Sequence, residues 1–134
     1  MKNNTSGQSL IEVLVALSAA IVVLSSITFL ILTSLNQAVG SKNTALAAQH
    51  AQQGMELAKT QPANLSVGTR YCVGSSGLFS QGACTGANLG IFKREALIEG
   101  TSCGTLKKVT VTVSWSDSKC TTAFCQKVIE TSCI

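Results

Sequence analysis

Apolar residues are concentrated in one early segment of this chain. No charged residue occurs between Val13 and Ser41. The stretch from Val13 to Leu35 contains 23 residues without Pro or Gly, which predicts an unbroken helix about 34 Å long at the usual rise per residue. This length is enough to cross a hydrocarbon core of about 30 Å, so we expect residues 13–35 to span a membrane once.

The helical pattern continues past the apolar segment. Residues 36–59 are rich in Ala and Gln. Apolar side chains recur there at helical spacing, at Ala47, Ala51, Met55 and Ala58. These side chains are mostly small, so a sheet or another helix could approach closely, and Pro62 ends the pattern. We expect one helix from about Ser9 to Lys59. Lipid or other copies of the chain would surround its first half, and its second half would pack against a small C-terminal domain, the head.

The last part of the chain changes to a period of two. Apolar residues alternate with Thr and Ser from Val109 to Trp115, which is typical of a half-buried strand. A turn at Asp117–Lys119 leads to a second, antiparallel strand over Phe124–Thr131. Phe92–Glu99 is a third candidate strand and Gly68–Val73 a weaker fourth, and the Gly and Ser clusters at 74–77 and 82–90 predict a surface loop. The predicted fold class is therefore α+β, with a long helix packed on a small antiparallel sheet.

The cysteines indicate that the head is stabilised by disulfide bonds. All six lie in the last 63 residues, which suggests disulfides formed outside the cytoplasm. Six cysteines allow 15 pairings. The predicted strand pairing favours three of them: Cys72–Cys84 across the glycine-rich loop, Cys120–Cys125 at the hairpin turn, and Cys103–Cys133 at the open end of that hairpin. The alternative is a zinc site, but the chain has no C-x-x-C pair and one His, His50, far upstream, so we expect no metal and no cofactor.

Charge adds little to this picture. The net charge is +4 and 12% of residues are charged. The basic pairs Lys93-Arg94 and Lys107-Lys108 are isolated and aromatic residues are few, so we interpret these cations as solvated surface charges. Nucleic-acid binding is possible but has no support from a clustered basic face.

Glu12 is the unusual residue of the apolar segment. Inserting a carboxylate into a membrane helix costs about 3 kcal/mol on insertion scales. A carboxylate at such a position therefore suggests a functional role. The alternative is that Glu12 lies in the headgroup layer. A secretory signal peptide fits poorly, because its apolar region would be shorter and would be followed by a cleavage site with small residues.

The residues around Glu12 resemble a known signal. The run from Gly7 through Gln8, Ser9, Leu10, Ile11 and Glu12 into the apolar helix is similar to the class III signal of type IV prepilins and pseudopilins. The resemblance implies cleavage between Gly7 and Gln8 by a prepilin peptidase, N-methylation of Gln8, and a role for Glu12 in filament assembly.

The resemblance also implies an organisation and a location. Residues 1–7 would be the leader, 8–60 the long helix and 61–134 the disulfide-stapled head. The chain would be a single-pass protein of the cytoplasmic membrane, with its N-terminus inside, before it enters an extracellular or periplasmic filament. Its partners would be membrane lipid, the peptidase/methylase and other pilin subunits.

More diffuse similarities reach the head. The segments 48–57, 92–98 and 108–115 resemble the helix end and head strands of minor pilins and pseudopilins. Major pilins often carry a Pro within the apolar segment, whereas this chain has Phe29 there, which favours a minor pilin. The alternatives are a pseudopilin of a type II secretion or DNA-uptake machine, or a membrane-anchored binding module or adhesin.

Enzymatic activity is not expected. A thiol oxidoreductase could use Cys120 and Cys125 as its redox pair. However, four residues separate these cysteines, whereas two separate the cysteines of the usual redox motif. No serine occurs in a nucleophile-elbow pattern, and the chain has a single Asp and a single His.

Overall fold

The computed structural model describes residues 6–134, apart from the side chains of residues 6–9 and 101–103. One long helix, α1 (Ser6–Thr60), is followed by a 3₁₀ turn (Pro62–Asn64) and a sheet. The strands are β1 (Arg70–Val73), β2 (Phe79–Gln81), β3 (Lys93–Cys103), β4 (Leu106–Trp115) and β5 (Gln126–Cys133). This arrangement confirms the predicted α+β class.

Two compact units divide the chain, one ending at Val39 and the other comprising Gly40–Ile134. Helix α1 contributes to both units. In the second unit, which we call the head, the last third of α1 packs on the sheet.

The sheet is antiparallel throughout, in the order β2-β1-β3-β4-β5. Strands β4 and β5 are in register from Lys108↔Cys133 to Trp115↔Gln126, as the alternating pattern predicts. The expected start of β5 at Phe124 is wrong. Phe124 has φ +58°, a left-handed conformation that a strand residue cannot adopt, so β5 begins at Gln126.

The core lies between the helix stripe and one face of the sheet. The four predicted stripe residues Ala47, Ala51, Met55 and Ala58 are 0–1% exposed. Opposite them, the inward residues of β3 and β4 are buried: Ala96, Ile98, Val109, Val111, Val113 and Trp115. Because the stripe consists mainly of alanine, the helix backbone approaches the sheet closely, and each buried valine contributes roughly 1.5–3 kcal/mol.

Candidate functional site

The apolar part of α1 is uncovered in the isolated chain. Every large apolar side chain between Leu10 and Val39 is exposed, from 48% at Ile27 to 70% at Phe29. From Leu10 onward, α1 is long and apolar enough to cross a membrane. Soluble monomers rarely expose contiguous apolar surface on this scale, so the segment needs lipid or other protein around it.

Five hydroxyl groups of this segment donate hydrogen bonds within the helix. The Oγ atoms of Ser25 and Ser26 donate to the carbonyl oxygens of Ile21 and Val22 over 2.8 Å each. Three further hydroxyls, of Ser18, Thr28 and Thr33, make the same type of bond to preceding carbonyls. Because these five donors already have acceptors, enclosing them in apolar surroundings leaves their hydroxyl protons paired.

Glu12 is the single charged residue between Leu10 and Ser41. It is an exposed residue of α1, one turn after Gln8. Among the described residues, no ion pair includes Glu12. Gly7 and Gln8 belong to α1, but their side-chain positions lie outside the described part of the structure.

Arg94 is buried, which contradicts the prediction that it is a surface cation. It was expected to be a solvated surface cation with Lys93, yet it is 2% exposed. Strand β3 alternates its side chains between faces, so Lys93 points outward and Arg94 points into the core beside Phe92 and Ala96. Burial lowers the pKa of Arg94 below its usual value.

Main-chain carbonyls bind the buried guanidinium. Its Nε donates to the carbonyl of Val73 over 3.2 Å, Nη2 to that of Gly74 over 2.7 Å, and Nη1 to that of His50 over 3.2 Å. None of the ion pairs within the described residues involves Arg94. The side chain therefore joins α1, which supplies His50, to the end of β1.

Asn88 extends this network to a disulfide. Its Oδ1 accepts the Arg94 backbone N–H over 2.9 Å, and its Nδ2 donates to the carbonyl of Val73 over 3.0 Å. The same Nδ2 lies 3.2 Å from Sγ of Cys72 and 3.3 Å from Sγ of Cys84. From the sequence, Asn88 is predicted only to lie in the surface loop at 82–90. The inward register of Arg94 was visible in the sequence, whereas nothing there indicated Asn88.

Two of the three expected disulfides are present. Cys72 is bonded to Cys84 with a Cα–Cα distance of 4.9 Å, and Cys120 to Cys125 with 5.5 Å. Cys133 is also disulfide-bonded. Its expected partner, Cys103, has a side chain outside the described residues.

A possible metal-ligand group contains two of these cysteines. Asp117, Cys120 and Cys125 bring their ligand atoms within 4.8 Å of one another. Both sulfurs are already in the Cys120–Cys125 disulfide, whereas a metal requires thiolate. The Asp117 carboxylate instead accepts the backbone N–H of Lys119 over 2.8 Å and forms the turn.

Lys107 and Lys108 do not form a joint basic surface. Nζ of Lys107 donates to the carbonyls of Pro62 over 2.8 Å and Leu65 over 2.7 Å. Nζ of Lys108 lies 2.8 Å from the carboxylate of Glu99. Alternation along β4 places the two side chains on opposite faces of the sheet. The two cations therefore lie on separate surfaces and do not form one basic patch.

Comparison with the profiles of known protein families, with curated proteins and with solved structures finds no match.

Proposed function

We propose that this chain is a structural subunit of a type IV pilus or pilus-like filament and that it assembles through α1. The observation that carries the proposal is the placement of Glu12. It is the only charged residue between Leu10 and Ser41, in the exposed apolar part of α1, and it lies one turn after the glycine-containing signal at Gly7-Gln8. A membrane anchor alone has no need of a carboxylate there.

The proposed cleavage creates a charged group with which Glu12 can pair. Hydrolysis of the Gly7–Gln8 bond creates a positively charged amine at Gln8. In a bundle of apolar helices, that amine and a carboxylate each lose hydration, and leaving either charge unpaired costs several kcal/mol (about 3–5). Pairing the amine of one subunit with Glu12 of its neighbour offsets that loss. Because few staggers bring the two charges together, the pair also fixes the axial register of the helices.

The hydrogen-bonded hydroxyls of α1 suit two environments in turn. Their protons remain paired both in lipid before assembly and among apolar helices afterwards. The absence of Pro from residues 13–35 favours a minor pilin over the main shaft subunit. The disulfides of the head suit an extracellular or periplasmic location.

Mass spectrometry of the mature protein, together with imaging of surface filaments, tests this function. We expect a mature N-terminus at N-methylated Gln8, and we expect the protein to sediment with sheared filaments. A Gly7→Leu variant, which blocks cleavage after residue 7, should stay full-length in the membrane fraction. A wild-type protein that keeps residues 1–7 and never leaves the membrane would contradict the proposal.

A further inference from the structure

A groove of about 770 Å³ lies in the head between α1 and the chain that joins β1 to β3. Helix α1 lines it with Gln49, Gln52 and Gln53, and the joining chain lines it with Ser75 and Leu89. These residues all belong to one compact unit, so the groove is a feature of the head alone. Its volume is in the range of small-molecule sites in proteins, which is roughly 300–1,000 Å³.

Arg94 contributes its buried side chain to the lining of this groove. A guanidinium group carries five N–H donors. Three of them donate to the carbonyls of His50, Val73 and Gly74, and these bonds use Nε once, Nη1 once and Nη2 once. Each terminal nitrogen therefore keeps one N–H that has no acceptor among the residues that the structure describes.

The positive charge of Arg94 also has no counterion in the described part of the chain. Glu56 is the acidic residue of the groove lining, and its carboxylate lies 2.8 Å from Nζ of Lys59. The carbonyls around Arg94 solvate its charge but do not neutralise it, whereas buried charges in proteins are usually paired. An anion in the groove would supply the missing negative charge.

The geometry points to a binding site in this groove for a monocarboxylate that is attached to a short apolar group. Two N–H donors on adjacent nitrogens suit the two oxygens of a carboxylate, and one negative charge balances one guanidinium. A dianion such as phosphate would place a second negative charge near Glu56. The apolar group of the ligand would contact Leu57 and Leu89, which line the groove and pack against the core.

Other side chains of the groove can complete the binding of the carboxylate. Gln49, Gln52 and Ser75 have no side-chain hydrogen bond among the described residues, so their amide and hydroxyl donors are free for a ligand. The ligand could be a free organic acid or the C-terminal carboxylate of a peptide, because both present the same group. The site consists of head residues only and does not rest on the proposed filament.

Nuclear magnetic resonance of the full-length, ¹⁵N-labelled protein in detergent micelles tests the site. The probe is butyrate, and the uncharged control is butyramide at the same ionic strength. We expect butyrate to shift the Nε–H resonance of Arg94 until the shift saturates, and butyramide to leave that resonance unchanged. An arginine with a purely structural role would respond to neither compound.

A substitution in the groove tests the location without removing a hydrogen bond of Arg94. Gln49→Glu adds a carboxylate that competes with the ligand or repels it, so butyrate should bind at least about tenfold more weakly. Gln126→Glu is the matched control, because it makes the same chemical change on β5, outside the groove lining. It should leave the affinity for butyrate unchanged, and an equal loss in both variants would overturn the assignment of the site.

Two peptides of one sequence, with a free or an amidated C-terminus, distinguish the sources of the carboxylate. Tighter binding of the free-acid peptide than of butyrate assigns the site to a peptide C-terminus, whereas tighter binding of butyrate assigns it to a small organic acid. If neither butyrate nor the free-acid peptide gives a saturable shift at Arg94, the inference is overturned. That result would leave the filament function intact, because assembly through α1 is measured separately.

Discussion

Gly54 and Arg94 are in direct contact across the helix–sheet interface. A Cβ atom on Gly54 would lie 3.0 Å from Cδ of Arg94 and 3.0 Å from Cγ1 of Val111. The missing side chain on α1 thus leaves room for the aliphatic part of the arginine, whose guanidinium binds the His50 carbonyl one turn earlier in the helix. The two residues together set the distance between α1 and β3.

Replacing Gly54 by alanine tests this close approach. Alanine gains about 1 kcal/mol of helix propensity, but crowding a packed core costs about 1–3 kcal/mol. The hydrogen bonds of Arg94 limit its movement, so we expect a net destabilisation of about 1 kcal/mol, measured by denaturant unfolding in detergent with Trp115 fluorescence. The control is Gly40→Ala, where no atom lies within 4 Å of the added Cβ. It should leave stability unchanged or raise it, and equal effects of both substitutions would refute the proposed packing.

The hydrogen bonds of Arg94 predict that lysine cannot replace it. Lysine keeps the charge but lacks the planar fork that reaches carbonyls on both α1 and β1. Arg94→Lys should lower the free energy of unfolding by about 2–3 kcal/mol, because buried carbonyls lose their donors. Arg70, an exposed residue of β1, is the matched control, and Arg70→Lys should change stability by less than about 0.5 kcal/mol. Similar losses at the two positions would contradict the structural role of Arg94.

The two described disulfides should contribute unequally. Cys72–Cys84 spans a sequence separation of 12, and Cys120–Cys125 one of 5. Loop-closure entropy predicts losses of about 3 and about 2 kcal/mol when each pair is replaced by alanine. Removing the first pair also takes both sulfurs away from Nδ2 of Asn88, which increases the difference. Thermal unfolding of the two double variants under non-reducing conditions measures it, and a larger loss from the Cys120–Cys125 pair would contradict the prediction.

Lys107 and Lys108 should differ although they are adjacent. Lys107→Met removes an ammonium group from two carbonyls after the end of α1, which should cost about 1–2 kcal/mol. Lys108→Met breaks a solvent-accessible ion pair with Glu99 and should cost less than about 1 kcal/mol. Urea unfolding of the two variants measures this order. Equal effects would mean that Lys107 does not hold the segment after the helix.

Periodic apolar patterns made much of the fold predictable. The stripe from Ala47 to Ala58 and the alternation from Val109 to Trp115 each repeat over several turns or residue pairs, and both are buried as expected. The three-residue strand β2 is too short to show a period. Phe124 has strand propensity, yet the tight Cys120–Cys125 loop holds it in a left-handed conformation, so tertiary structure overrides its local preference.

The candidate site was predictable to a different degree in each unit. Glu12 is conspicuous because its surroundings contain no other charge. Arg94 occupies an inward position between Phe92 and Ala96, but its charge favoured a surface assignment. Its partners are main-chain carbonyls, which carry no sequence signal. Asn88 could not be identified for the same reason, because its contacts depend on how the loop folds back over β1.

The most direct test of the account is the amount of protein in sheared surface filaments for wild type, Glu12→Ala and Glu12→Asp, each normalised to its level in the membrane. Burying the amine that cleavage creates at Gln8 without a partner costs about 3–5 kcal/mol. Glu12→Ala should therefore reduce incorporation at least tenfold. Glu12→Asp keeps the charge and should retain part of it. Incorporation of Glu12→Ala at the wild-type level would contradict assembly through this carboxylate.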